Sequence, residues 1–451
     1  MKFESGTAYE VVPLEQLIEL IIDHRGKTPK KLGGDFTDKG VPVISAIHIK
    51  NGQIQWDERE RYVSGEMFER WMPIKLQIDD VLLTSEAPLG ETALVPSDED
   101  LVLSQRLFAI RCKKEILDPT YFKYFLTSPG GQKILSDRAS GSTVMGIRQA
   151  ELVKIAVPHP DIQVQRVVGK ILLSIDEKIQ SNIQLSKTLE DIAQTIFKSW
   201  FIDFDPVKAK MAGEKPVGMD DATAALFPDS MEDSELGLKP KGWEIESLFD
   251  FGLEIESGSR PKGGVKGIVS GVPSIGAESI NGLGVFEFSK TKYISEEFYE
   301  KMNKGKPKDF DVLLYKDGGK PGEFKPRVGM FGLGFPFERC AVNEHVFLLR
   351  ATKLGQPFMY FWVCLERTLD ILRNRGIKAA IPGINQQDVG TIPVLFPGKE
   401  ILDKFDEICF PYIQLILTLA SESLELTKLR DSLLPRLISG ELQIPEEMLA
   451  S

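Results

Sequence analysis

The sequence carries one pattern twice, in the same order, and a repeat of such long period constrains the architecture before any single motif does. Gly40-Val41-Pro42, Ala46 and Asn51-Gly52 return as Gly271-Val272-Pro273, Ala277 and Asn281-Gly282, an offset of 231 (271 − 40). Tyr62-Val63-Ser64 returns as Tyr293-Ile294-Ser295, and Asp80-Val81-Leu82-Leu83 as Asp311-Val312-Leu313-Leu314, at the same offset. Further on, Gly90-Glu91 pairs with Gly322-Glu323, Phe108 with Phe347, and Gly146-Ile147 plus Gln149 with Gly383-Ile384 plus Gln386. The first ~150 residues of each copy mix short apolar runs with Gly/Pro turns and one short helical stretch, which reads as an α+β domain. A chain of 451 residues exceeds one ordinary core, since domains average roughly 150 residues.

The second part of each copy is helical. From Asp161 to Phe201 no Pro interrupts the chain, and Val168, Leu172, Ile175, Ile179, Leu189, Ala193, Ile196 and Trp200 follow 4/3 spacing, the stripe of a coiled-coil seam. Asn182 and Ser186 break it with polar groups, as residues that set register do. The later stripe carries Leu402, Phe405, Cys409, Tyr412, Ile416, Leu419, Leu426, Leu429 and Leu433, with Pro411 inside it and Pro435 and Gly440 at its expected end. Proline removes a backbone donor and crowds the preceding turn, so Pro411 predicts a kink. The two stripes either bury each other as an antiparallel pair or pack along their own domains as core helices; their length favours the pair. Between the copies, residues 203–241 are rich in Pro, Gly and acidic groups and read as a surface linker.

Charge and composition narrow the function. The net charge of −11 argues against nucleic acid, but residues 205–250 and 75–101 each contribute −6. The remainder leaves room for basic faces, for example 260–308, with nine Lys/Arg against five Asp/Glu. No apolar run approaches the ~18 residues of a membrane span, and the first residues lack a signal-peptide layout; the expectation is a soluble, cytoplasmic chain. Cys112, Cys340, Cys364 and Cys409 lie far apart, and His24, His48, His159 and His345 have no metal-ligand spacing, so neither a disulfide framework nor a metal site is expected. Gly26-Lys27-Thr28 lacks the earlier glycine of a phosphate loop, position 21 being Ile. Gly282-x-Gly284 and Gly332-x-Gly334 lack a third glycine. There is no G-x-S-x-G elbow and no Asn-Pro-Pro-aromatic tetrad, so no catalytic residue is assigned and a binding protein is favoured.

Several motifs point to a family. Arg25-Gly26-Lys27-Thr28-Pro29-Lys30, Arg61-Tyr62-Val63-Ser64, the run Asp80 to Gly90, Gln105-Arg106, Gly141-Ser142-Thr143 and Gly146-Ile147 resemble signatures of a target recognition domain. The helix ending Ile192 to Pro206 and the segment Leu429 to Gly440 are similar to the two conserved regions of the specificity subunits of type I DNA restriction–modification systems. The resemblance covers nearly the whole chain. It implies two tandem pseudo-symmetric α/β target recognition domains (1–160 and 242–397) and two long antiparallel helices (161–202 and 398–440), with the 203–241 linker and a tail at 441–451. It further implies that each domain reads half of a split double-stranded DNA target, while the helices set the spacing and dock modification subunits, usually two. S-adenosylmethionine would sit in those partners and no cofactor in this chain; restriction/translocase subunits are a further partner. The competing reading is a non-catalytic scaffold that binds protein through its duplicated domain and helices.

Arg or Lys reads guanine, Asn or Gln reads adenine, and Lys and hydroxyl groups contact phosphate. On that chemistry the first-domain candidates are Lys27, Thr28, Lys30, Lys31, Gln105, Arg106, Ser142, Thr143 and Arg148. Those of the second are Arg260, Lys262, Lys316, Lys320, Lys325, Arg327, Asn385 and Gln386. Trp200 and Phe201 serve either as docking anchors for a partner, since aromatics dominate such hot spots, or as a cap on the rod's own core.

Overall fold

The apolar runs Val81-Leu82-Leu83 and Leu107–Ile110 have no polar alternation because their sheet is covered on both faces. Val81, Leu83, Phe108 and Ile110 join one core cluster, and Leu82, Leu107 and Ala109 join another. The structure is a computed structural model describing residues 8–56, 59–141, 143–234, 237–320, 322–377 and 382–449. Two units emerge, Met1–Lys178 with Leu426–Ser451, and Ile179–Glu425.

In the first unit a four-stranded antiparallel sheet runs in the order Ile18–Asp23, Leu107–Cys112, Val81–Thr84, Thr92–Leu94. A three-stranded set places Val41–Ile44 between Tyr62–Val63, antiparallel, and Val102–Leu103, parallel. Val11–Pro13 pairs with Ala156–Pro158. The second unit repeats every one of these choices. Its four strands are Glu254–Ser257, Val346–Arg350, Val312–Tyr315 and Val328–Met330. Val272–Ile275 lies between Lys292–Ile294 and Ala341–Val342, with the same senses, and Glu244–Ser247 pairs with Pro393–Phe396.

The repeated sequence motifs are the parts this topology needs. In Tyr62-Val63-Ser64 and Tyr293-Ile294-Ser295 the aliphatic residue is fully buried. The serine Oγ accepts a bond from Met67 N or Phe298 N, each 3.2 Å, capping the next helix. Asp80 and Asp311 open equivalent strands; each accepts a backbone bond from three residues back, from Gln77 N at 2.9 Å and Lys308 N at 2.8 Å. Each also binds an arginine, the half-buried Arg111 or the buried Arg350.

The long helices span Ile162–Phe201 and Lys399–Ser439. Within the second unit Asn182 Nδ2 donates to Glu422 Oε2 at 2.8 Å, and the Phe201 and Phe405 rings lie 5.2 Å apart. Residue numbers therefore rise along one helix as they fall along the other, the antiparallel arrangement. Asn182 is 2% exposed, a polar group in the seam answered by a carboxylate. In the first unit Val168 and Leu172 pack in one core cluster with Leu434, Leu437 and Ile438.

Three readings of the sequence need correction. Pro435 does not end the second helix, which continues to Ser439; burial of Leu434, Leu437 and Ile438 on both sides outweighs the lost backbone bond. Pro411 lies inside the same helix, where the stripe placed it. Leu429, placed on the seam by spacing, is 46% exposed. Residues 203–241 are not a bare linker: they form helices Asp205–Met211 and Asp221–Leu226 and the hairpin Met231–Ser234 with Gly237–Pro240. Val207 and Phe227 from this segment are buried in the second unit's core.

Candidate nucleic-acid interface

The same loop frame is built at one end of each four-stranded sheet. In the first unit Val81–Thr84 runs into Ser85-Glu86, and Arg106 precedes Leu107–Cys112. Arg106 is left-handed, with φ 67°. Ser85 N donates to Arg106 O and Ile147 N to Ser85 O, each 2.9 Å, while Glu86 forms an antiparallel bridge with Gly146. The second unit repeats this frame: Lys316 N donates to His345 O at 2.9 Å, Ile384 N to Lys316 O at 2.8 Å, and Asp317 bridges Gly383. The glycine of each Gly-Ile motif is required by this approach. A Cβ on Gly146 would lie 3.0 Å from Ser85 O, and one on Gly383 3.1 Å from Lys316 O.

On this frame a carboxylate faces a basic side chain in both units. Arg106 Nε is 3.0 Å from Glu86 Oε1. His345 Nδ1 is hydrogen-bonded to Asp317 Oδ1, and its Nε2 is 3.3 Å from Glu344 Oε1. At the opposite end of the same strands sit the buried ion pairs. Arg111 binds Asp80 at 2.8 and 2.9 Å. Arg350 binds Asp311 at 2.6 Å twice and Glu256 at 2.7 Å. Burial pushes the Asp311 carboxyl up, and Arg350 pulls it back.

The first-unit candidates fall into three groups. Gln105 Nε2 donates to Lys27 O at 2.8 Å, so this half-buried amide ties the Arg106 loop to the loop after Ile18–Asp23. Lys27 is half-buried with Nζ 3.5 Å from Trp71 O, and Thr28 Oγ1 accepts from Lys31 N at 3.3 Å. Lys30 and Lys31 are exposed on a short 3-10 turn, with Lys31 Nζ donating to Gly26 O at 2.9 Å. Thr143 is exposed, and Ser142 lies outside the described residues. Arg148 is exposed and shares a shallow recess with Arg25, whose guanidinium lies 4.8 Å above the Phe108 ring.

In the second unit a cavity of about 450 Å³ gathers Lys320, Lys325 and Arg327 with Tyr315, Asp317 and His345. Lys325 pairs with Glu323 at 2.6 Å, and Arg327 Nη1 is 3.4 Å from Ala277 O. Lys316 Nζ donates to Glu344 O at 2.9 Å, and Arg260 pairs with Glu344 Oε1 at 2.8 Å beside it. Lys262 is exposed. Asn385 is a helix cap, its Oδ1 accepting from Asp388 N at 3.0 Å, and Gln386 Nε2 donates to Ile255 O at 3.3 Å. Trp200 and Phe201 are 7% and 0% exposed and pack within the second unit's core.

Sequence reading missed Arg25, Glu86, Asp317 and His345. The signal was present in the repeat itself: Glu86 and Asp317 share the offset of 231 that relates Asp80 to Asp311, and Arg106 and His345 share the 239 that relates Phe108 to Phe347.

Among the described residues no group of three or more His, Cys, Asp or Glu is placed to hold a metal, and no helix is long and apolar enough to cross a membrane. Residues 7–191 match the family model of the type I restriction modification DNA specificity domain. The chain is 26% identical over 436 residues to the type I restriction enzyme MjaIX specificity subunit of Methanocaldococcus jannaschii, covering 93% of this chain and 91% of that one. It is 25% identical over 412 residues to the HindI specificity subunit of Haemophilus influenzae, covering 80% and 86%. A solved type I restriction–modification S subunit from M. genitalium shares the fold, with TM-score 0.58, 15% identity and 97% and 98% coverage. Residues 7–191 thus carry the likeness to the type I restriction modification DNA specificity domain, and over most of its length the chain is similar to type I restriction enzyme specificity subunits.

Proposed function

We propose that this chain is the non-catalytic DNA-reading subunit of a type I complex, in which each unit reads one half of a bipartite double-stranded target. The observation that carries this reading is the loop frame built twice, with the exposed Arg106 at its tip in one unit and the half-buried His345 at the same place in the other. Side chains of this kind read base edges and phosphates, and two diverged copies read two different half-sites.

The long helices, each shared by both units, act as the ruler between half-sites and as the platform for two modification subunits. Those subunits carry S-adenosylmethionine and methylate adenine; restriction/translocase subunits join the same complex, which works in the cytoplasm. The chain's net charge of −11 leaves much of the nonspecific phosphate contact to these partners.

Binding of the complex with its modification subunits to DNA, titrated against salt, tests the reading. Log affinity falls linearly with log salt when phosphates are neutralised, with a split sequence preference on top. Absence of salt-dependent DNA binding favours the protein-binding scaffold.

A further inference from the structure

The two frames superpose residue for residue in hydrogen bonding, yet the basic side chain at the tip differs. Three backbone contacts are retained, the bond donated by Ser85 N or Lys316 N, the bond from Ile147 N or Ile384 N, and the bridge to Gly146 or Gly383, while the left-handed φ of 67° at Arg106 is not repeated at His345. The carboxylate is retained too, with a change of length. Arginine is paired with Glu86, and the shorter imidazole of His345 with Asp317. Neither base is needed for packing, since the Arg106 and His345 side chains are 57% and 42% exposed. The facing carboxylates are partly exposed as well, at 37% and 28%.

We propose that Arg106 and His345 are equivalent specificity-determining residues, one per half-site, and that Glu86 and Asp317 are the positioning residues that fix which edge each presents. The inference rests on the DNA-reading function proposed above.

The chemistry separates the two halves. A guanidinium offers only donors, in a fork that matches the two acceptors, O6 and N7, of guanine. With Nε held by Glu86, the terminal nitrogens of Arg106 remain to make that bidentate contact. An imidazole with Nδ1 engaged by Asp317 has only Nε2 left to offer a base, and Nε2 must give up Glu344 Oε1 at 3.3 Å to do so, so it makes at most a single contact. The half-site read by the first unit therefore carries a strongly specified guanine at the Arg106 position. The corresponding base of the other half is discriminated less.

The test selects bound sequences from DNA randomised at every position, using the complex with its modification subunits. Wild type is compared with Arg106→Ala, Glu86→Gln, His345→Ala and His345→Arg. Arg106→Ala is expected to relax one guanine in one half-site by roughly 10- to 100-fold and to leave the other half-site unchanged. Glu86→Gln is expected to alter preference at that same base, which loss of a merely structural contact would not do. His345→Ala is expected to relax one base of the other half by about 3- to 10-fold, and His345→Arg to shift that base toward guanine. Thermal melts of each variant monitor folding, and the surface position of both bases makes retention of the wild-type midpoint the expected result. A uniform loss of affinity across all sequences, or an unchanged preference at every base, overturns the inference. Wild-type complex with no sequence preference at all overturns the DNA-reading function on which it stands.

Discussion

The two units share a backbone frame but close their helix ends with different chemistry. In the second unit Phe197, Trp200 and Phe201 meet Phe358, Phe405, Phe227 and Trp243. The positions 237 residues further on are Leu434, Leu437 and Ile438, so this helix end brings only aliphatic groups to a cluster whose rings, Tyr121, Tyr124 and Phe125 among them, come from elsewhere in the first unit. The rings at the second unit's helix end need more surface to cover them. The segment after the first helix supplies it: Val207, Phe227 and Trp243 come from residues beyond Phe201 and are at most 3% exposed. Among the described residues after the second helix, Leu442 and Ile444 pack back, half-buried. Identical topology thus tolerates two core solutions, provided the total volume is filled.

The largest expected effect sharpens this contrast. Phe197→Ala removes a ring that touches five others and should destabilise the second unit by about 3–5 kcal/mol. Leu434→Ala, its counterpart, should cost the first unit about 2–3 kcal/mol. Hydrogen exchange resolved by unit measures both, and equal losses would break the comparison.

Next come the buried ion pairs. Arg350 is held by two carboxylates and Arg111 by one. Arg350→Ala leaves Asp311 buried and unpaired and should cost about 3 kcal/mol, against roughly 1–2 kcal/mol for Arg111→Ala. Denaturant midpoints that reverse this order would contradict the assignment.

A pH effect of intermediate size belongs to the second unit. At the cap of Gln356–Cys364 the first unit's arrangement is transposed. Asp118 caps Pro119–Thr127 and faces Gly169, whereas Gly355 caps its helix and faces Asp406. Burial pushes the Asp406 carboxyl up to about 7, Asp403 adds to it and Lys399 opposes. Unfolded, it titrates near the ordinary ~3.9. As pH rises from about 4 to about 7 the unfolded chain loses this proton before the folded one, so stability falls through that window. Asp406→Asn should match wild type near pH 4 and exceed it by on the order of 2 kcal/mol above pH 7. A gap that does not widen with pH would refute the account of Asp406.

The smallest effect should be equal in both units. Gly40 and Gly271 have φ of 140° and 134°, and a Cβ would lie 2.2 Å from Val63 O and 2.3 Å from Ile294 O. Alanine at either position should cost somewhat more than about 1 kcal/mol. Unequal losses would show that the copies have diverged at the turn as well as in the core.

The repeat made the two-copy topology legible, because its motifs are caps, turn glycines and strand-opening aspartates that local physics demands. Where tertiary packing overrode a local rule, sequence reading went wrong. Pro435 looked like a terminator until the buried Leu434, Leu437 and Ile438 held the helix through it. Leu429 follows Leu426 by three residues where the alternation set by Leu402, Phe405, Cys409, Tyr412, Ile416 and Leu419 calls for four, and it lies outside while Leu433 and Leu434 stay packed. The 203–241 segment looked polar enough for a linker because only a few of its residues, Val207 and Phe227 among them, anchor it. Of the candidate interface, the basic residues were legible by type. Glu86, Asp317 and His345 were legible only as positions related by the repeat offsets, because their role lies in a contact between loops far apart in sequence.

Mapping methylated adenines across the genome of the source organism, with and without this gene and with its modification subunit expressed, tests the central claim most directly. The account predicts a split motif of two unlike halves at fixed spacing, methylated only when the gene is present. An unchanged methylation map, with the modification subunit shown to be active, would contradict it.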